Sequence, residues 1–146
     1  SEQLGSPDLS FFYSTDQLYA MAKSYGEAGR VEYVKARFSF DVIWPLIYTA
    51  FLVTAISWLF SKGLGEKSRW HIANLVPTWA MILDFLENGS TSIVMARYPH
   101  LTPGIAHLAP FFTAIKWILV SASCILLIIG IVVGVFAAYR TWKNRT

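Results

Sequence analysis

Two carboxyl groups and an amide lie within five residues of one another in the apolar stretch MILDFLENGSTSIV, residues 81–94. Asp84, Glu87 and Asn88 are separated by three and four positions, so on a helix they would share one face. A charged face turned toward hydrocarbon is costly, and such groups normally look into a protein interior. There, carboxyl groups could hold a cation, exchange a proton or form ion pairs.

A lysine in the next apolar run is the natural partner for these acids. An antiparallel hairpin with its tip near residue 100 puts Asp84 and Lys116 at equal distances from the tip, and so at one depth. A second hairpin with its tip near residue 65 puts Asp41 close to the level of Glu87. We therefore predict one buried polar cluster, formed by Asp41, Asp84, Glu87, Asn88 and Lys116, with Tyr48, Thr113 and Arg37 as possible additions.

The cluster contains three carboxyl groups and one lysine, so it has an excess of acid. Like charges at low dielectric cannot all ionise, so we expect the acids to share protons. One hypothesis is a structural ion-pair network that fixes the register of the helices. The other is a site for a proton, a cation or a polar ligand, a role that intramembrane charges often have.

Metal, haem and hydrolase chemistry find little support in the sequence. The histidines have neither a standard zinc spacing nor a common depth for a haem; they are His71, His100 and His107. A hard cation at the acids would compete with Lys116 for the same oxygens. The sequence lacks a nucleophile elbow, a phosphate loop and an HExxH motif. We therefore expect no metal, no cofactor and no catalytic residues.

The elements that must position the cluster are long apolar segments. Apolar residues make up 55% of the 146 residues and charged residues 14%, against about 25% charged in soluble domains. Three apolar runs, at 42–61, 70–97 and 105–139, approach or exceed the roughly 20 residues of a transmembrane helix. They lack the polar face of a helix on a soluble protein. The sequence predicts an all-α integral membrane helical bundle with three transmembrane helices in residues 41–146.

The basic residues predict the orientation of this bundle. The loop after the first span has Lys62, Lys67 and Arg69 against one acid, and the C-terminal tail is basic as well. Since an excess of Lys and Arg marks the cytoplasmic side, we expect a plasma or inner membrane protein with its N-terminus outside and its C-terminus inside. The basic residues form no single patch, so no nucleic-acid partner is expected. The chain begins at Ser1, and we expect a signal peptide or a further transmembrane helix before it.

Residues 1–40 are predicted to form a short amphipathic helical cap on the outer side. Ser14 and Gln17 have the spacing of a capping box. Two short helices follow, with Gly26 and Gly29 between them. The cap would lie on the membrane surface or on the bundle; alternatively, it is a docking surface for a partner.

Prolines and one Asn-Gly pair affect the limits of the spans. Pro77 is expected to kink the second span and Pro110 to interrupt or restart the third. Asn88-Gly89 would be a turn in a soluble protein, so the second span could end at Glu87. We favour continuation to about Arg97, because the residues beyond the pair stay apolar. Thr102-Pro103 is typical of a helix start.

A stripe of small residues in the third span predicts close helix packing. Gly130 and Gly134 form a GxxxG motif, and Ala138 extends it by one turn. The motif would pack against this chain's own helices or against another subunit.

Several short motifs resemble those of a family of small bacterial integral membrane proteins without a known function. They are FYS-x-x-x-LY at 12–19, YG-x-x-GR-x-x-Y at 25–33, RF-x-FD-x-x-WPL-x-Y at 37–48, D-x-x-EN at 84–88, and a lysine at 116. The resemblance covers most of the chain. It implies a further transmembrane helix upstream, and hence four transmembrane helices in all, but it supplies no function.

We expect a non-catalytic integral membrane protein, an accessory or structural subunit of a larger membrane complex. Its partners would be the lipid bilayer and other membrane subunits. The alternative is an ion- or proton-linked protein, a protein that binds a small ligand, or a membrane enzyme, using the buried acidic cluster.

Overall fold

The structure, a computed structural model, describes residues 7, 10–64 and 69–144, and for residues 69–71 only the backbone. In these residues four α-helices follow one another: α1 (Thr15–Arg37), α2 (Phe40–Leu64), α3 (Leu75–Arg97) and α4 (Pro103–Lys143). A 3-10 helix, Arg69–Asn74, precedes α3. The described residues contain no strand, which confirms the all-α class. Predictions about Glu66, Lys67 and Arg145, about most of residues 1–9, and about the His71 side chain lie outside the described residues.

Within the described ranges, two helical stretches are long and apolar enough to cross a membrane. One ends at Leu64 and includes α2, and the other is α4. The second predicted span, α3, is not one of the two, because its polar residues lower its hydropathy. Helix α3 nevertheless lies at the centre of the molecule, packed against α4, α2 and α1.

Helix α3 begins later than the sequence predicted. The expectation was a span from residue 70 with a kink at Pro77, whereas α3 starts at Leu75 and has Pro77 as its third residue. Proline lacks an N–H and clashes with the carbonyl four residues earlier. The first turn is therefore the part of a helix that accepts a proline without cost. The helix therefore begins just before Pro77 instead of bending around it. At its other end α3 continues through Asn88-Gly89 to Arg97, as we favoured.

Helix α4 runs unbroken through Pro110, contrary to the prediction that this proline interrupts it. Pro110 cannot donate to the carbonyl of Ala106, four residues earlier. That carbonyl instead accepts a hydrogen bond of 3.4 Å from the hydroxyl group of Thr15, the first residue of α1. Prolines are tolerated inside apolar helices when a neighbouring side chain satisfies the freed carbonyl in this way. The start of α4 at Pro103, after Thr102, agrees with the sequence.

The N-terminal helix α1 is a cap on one end of the bundle, which we call the outer end. Its predicted capping box is present, with Ser14 N–H donating to Gln17 Oε1 at 2.8 Å. The helix breaks at Gly26, whose φ of 65° and ψ of −179° are accessible to almost no other residue. Helix α1 buries a cluster of apolar side chains against the outer ends of α3 and α4, including Leu18, Met21, Val94, Met95, Ala106 and Ala109.

Candidate functional site

The centre of the site is Lys116, which projects from α4 toward two acids of α3. Its Nζ lies 3.2 Å from Asp84 Oδ1 and also forms an ion pair with Glu87. Lys116 is almost completely buried and Glu87 fully so. The structure thus brings these three residues to one depth, as the position of the hairpin tip predicts. Two carboxyl groups therefore contact one ammonium, and of the three groups Glu87 and Lys116 are shielded from water.

A second ion pair lies at the junction of α1 and α2. Arg37 contacts Asp41, four residues later, and its guanidinium lies 4.4 Å from the centre of the Tyr33 ring. Asp41 therefore pairs with Arg37 and not with Lys116. The sequence suggested Arg37 only as a possible addition, but in the structure it supplies the second positive charge. The site contains two cations and three acids.

Asn88 connects the two ion pairs by way of the backbone. Its Nδ2 lies 3.5 Å from the carbonyl oxygen of Asp41. That carbonyl lies four residues before Pro45, which has no N–H to offer it. Asn88 therefore compensates for the proline in α2, as Thr15 does for Pro110 in α4. This gives the amide a structural role within the cluster that sequence spacing alone did not indicate.

Of the two other suggested members, one joins the cluster and one does not. The hydroxyl group of Tyr48 donates a hydrogen bond of 3.4 Å to Asp84 Oδ2. Thr113 instead lies 3.2 Å from the Tyr13 hydroxyl and donates to the carbonyl of Ala109. Thr113 therefore belongs to the contact between the cap and α4.

A groove of about 450 Å³ opens over the cluster between α2 and α4. The charged and amide side chains that line it are Arg37, Asp41, Asp84, Asn88 and Lys116. Apolar side chains form the rest of its lining, among them Trp44, Phe51 and Trp117, together with the thiol of Cys124. The charged cluster is therefore reached from the side of the bundle, between two apolar helices.

The geometry of the described residues does not favour a metal ion. No three His, Cys, Asp or Glu side chains of the described ranges come together in an arrangement that could hold one. Each acid of the cluster already contacts Lys116 or Arg37. His107 lies at the outer end, where its Nδ1 is 2.9 Å from the hydroxyl group of Thr15.

The small-residue stripe of α4 packs against α2 of the same chain over part of its length. A Cβ built on Gly130 would lie 3.1 Å from Leu59 Cβ, and one on Gly134 would lie 3.5 Å from Leu59 Cδ2. The tightest approach is at a glycine that the sequence analysis did not single out. A Cβ on Gly63 would lie 2.3 Å from Val133 Cγ1. Ala138 instead lines a second groove, beside Trp58 and Trp142.

The contacts of Lys116 follow from the register of the hairpin formed by α3 and α4. The Arg37–Asp41 pair depends on local contacts that this register does not describe. Asp84, Glu87 and Lys116 meet because α3 and α4 are neighbours in an antiparallel pair. The Arg37–Asp41 pair depends on the turn at Phe38 and Ser39 between α1 and α2. Its signal in the sequence was the four-residue spacing of opposite charges.

Comparisons with protein-family models, with curated proteins and with solved structures gave no match for this chain.

Proposed function

We propose that this chain is a multi-pass integral membrane protein in which α2, α3 and α4 each cross the bilayer. The observation that carries the proposal is the distribution of side chains on α3. Its buried residues include Glu87, Asn88, Thr91 and Ser92, while its exposed face has Leu75, Trp79, Ile82, Leu86 and Ile93. A helix packed on a soluble protein has the opposite arrangement. Lipid around the bundle accounts for an exposed apolar face and a buried polar one.

The dimensions and burial of the helices support the same proposal. Helices α2 and α3 have 25 and 23 residues, so each is about 35 Å long, enough for a hydrocarbon core of about 30 Å. Helix α4, with 41 residues, is longer than the bilayer core. Two helical stretches qualify by hydropathy, the one that ends at Leu64 and α4. In the most apolar part of the first only 22% of residues are buried, and in that of α4 only 11%. The core helix of a soluble protein would be mostly buried.

The proposed orientation places the cap outside the cell and the C-terminus in the cytoplasm. Exposed basic residues lie at the end of the bundle opposite the cap, including Lys62 and Arg140. The positive-inside rule assigns this end to the cytoplasm. The charged cluster then lies nearer the outer surface.

Cysteine labelling tests the three crossings directly. In a Cys124→Ala background, we expect single cysteines at Ser39 and His100 to react with a membrane-impermeant maleimide added to intact cells. Cysteines at Ser61 and Asn144 should react only after the membrane is permeabilised. If positions 61 and 100 react from the same side, α3 does not cross the bilayer and the proposal fails.

We further propose that the protein is non-catalytic and serves as an accessory subunit of a larger membrane complex. Its support is the face that α2 and α4 share, which has exposed apolar side chains and two grooves. In the groove nearer the cytoplasm, Gly134, Ala137 and Ala138 leave room for the close approach of another helix. Large aromatic residues flank this strip, namely Trp58 and Trp142. Such a surface suits a partner helix within the membrane.

Native mass spectrometry of the protein, extracted gently from its own membrane, tests the subunit role. We expect a stoichiometric complex with other membrane chains. A substitution in the strip, Ala138→Leu, should release the partner, whereas Ile118→Leu on another exposed part of α4 should not. If the chain is always recovered alone, the subunit role is wrong.

A second candidate function is the binding of an ion or a small ligand at the charged cluster. The observation that favours it is the partial exposure of Asp41 and Asp84, both of which line the groove between α2 and α4. A structural ion-pair network gains nothing from carboxyl groups that remain accessible. Recovery of a lone chain with a bound small molecule would support this candidate over the first.

A further inference from the structure

We infer that the groove between α2 and α4 binds an amphiphile with an ammonium head group, an inference that rests on the second candidate function and on the three-span arrangement. The head group would lie against Asp41 and Asp84, and the apolar tail would extend past Phe51 and Cys124. The groove opens sideways, so in a bilayer its occupant would enter from the lipid.

The charges that line the groove select the sign of the ligand. The side chains of Asp41 and Asp84 are 24% and 14% exposed, whereas those of their partners Arg37 and Lys116 are 8% and 5% exposed. All four side chains line the groove, and the acids are more accessible than the bases. With Glu87, the cluster has three acids against two bases, so in its fully ionised form one positive charge balances it. A ligand with a single ammonium supplies that charge.

The walls of the groove suit an organic cation better than a metal ion. Trp44, Tyr48 and Trp117 line it, and aromatic faces attract ammonium groups. The described residues offer no set of three metal-binding side chains. The volume of about 450 Å³ is within the roughly 300–1,000 Å³ of small-molecule sites.

One polar group of a residue in the wall is shielded from the groove. The indole Nε1 of Trp117 is buried and has no hydrogen-bond partner among the described residues. A buried donor without an acceptor is costly, so such groups are normally paired. Because this N–H is shielded from the groove, recognition of the head group rests on Asp41 and Asp84.

Lipid titration followed by native mass spectrometry tests the inference on the full chain. We expect phosphatidylethanolamine to bind about tenfold more tightly than phosphatidylglycerol with the same acyl chains, a difference of about 1.4 kcal/mol. Free ethanolamine at the same concentrations should not compete. Equal binding of the two lipids would overturn the inference, and effective competition by ethanolamine would assign the site to a soluble amine instead.

Two changes locate the lipid in the groove. Asp41→Asn should abolish the preference for phosphatidylethanolamine, while the matched change Glu32→Gln, on the exposed face of the cap, should leave it intact. Alkylation of Cys124 in the folded protein should block binding without touching an ion pair, so the test remains decisive if Asp41→Asn does not fold. Binding that survives alkylation would overturn the inference. Bound partner chains and bound lipids add different masses in native mass spectrometry. The same spectra therefore test lipid binding and the subunit role separately.

Discussion

Replacing Lys116 with methionine is expected to lower the free energy of unfolding by about 3–5 kcal/mol. Methionine keeps much of the side-chain volume but removes the cation from between Asp84 and Glu87. Glu87 is fully buried and would lose the ammonium it contacts. Thermal unfolding in mild detergent measures the effect, and we expect a drop in midpoint on the order of 10 °C.

The matched control is Lys62→Met, which removes an exposed lysine from α2 and should change stability by less than about 0.5 kcal/mol. A triple variant, Lys116→Met with Asp84→Asn and Glu87→Gln, should recover much of the loss, because a neutral core replaces the broken ion pairs. A Lys116→Met protein that unfolds at the wild-type temperature would show that the pairing contributes nothing to stability.

The hairpin that joins α3 to α4 explains why part of the site could be predicted from the sequence. Long apolar helices with a short connection have few ways to pair, so equal distance from the connection implies equal depth. That reasoning placed Asp84 opposite Lys116, and the structure has them 3.2 Å apart. The same reasoning located Asp41 near Glu87 but could not choose its partner. Arg37 is the partner because it lies only four residues before Asp41, across the turn between α1 and α2, and so requires no long reach.

The prolines mark the limit of that reasoning. Sequence rules state what a proline removes, but they do not identify the distant side chain that compensates for the loss. Pro110 was expected to interrupt α4, yet the Thr15 hydroxyl group contacts the carbonyl that it frees. Asn88 was grouped with the acids by its spacing, yet it donates to the carbonyl that Pro45 frees. Both contacts join residues that are far apart in the chain, and only the packed structure reveals them.

Close packing of helices was foreseen on the correct helix but not at its tightest point. GxxxG is recognisable within one helix, and it correctly marks α4 as a surface of close approach. The point at which two helices cross depends on the residues of both. A lone glycine in the second helix of the pair forms no motif, so its sequence does not reveal the crossing point. Gly63 is such a residue, near the end of α2 where it meets Val133.

We expect Gly63→Ala to destabilise the bundle by about 1–3 kcal/mol. A Cβ at this position would lie 2.3 Å from Val133 Cγ1 and 3.2 Å from the backbone carbon of the same residue. Valine has little rotameric freedom on a helix, so relief requires α2 and α4 to move apart. The overlap outweighs the gain of up to about 1 kcal/mol in helix propensity on replacing glycine with alanine. Thermal unfolding in detergent measures the change.

Gly134→Ala is the control that separates packing within the chain from packing between chains. Its Cβ would make an ordinary contact of 3.5 Å with Leu59, so we expect unchanged or slightly increased stability of the isolated protein. Gly130→Ala, at 3.1 Å from the same side chain, should lie between the two. If Gly134→Ala costs as much as Gly63→Ala, the crossing point of α2 and α4 described above is wrong. If Gly134→Ala leaves the isolated chain intact but weakens its complex, this glycine faces a partner helix and the accessory-subunit role gains direct support.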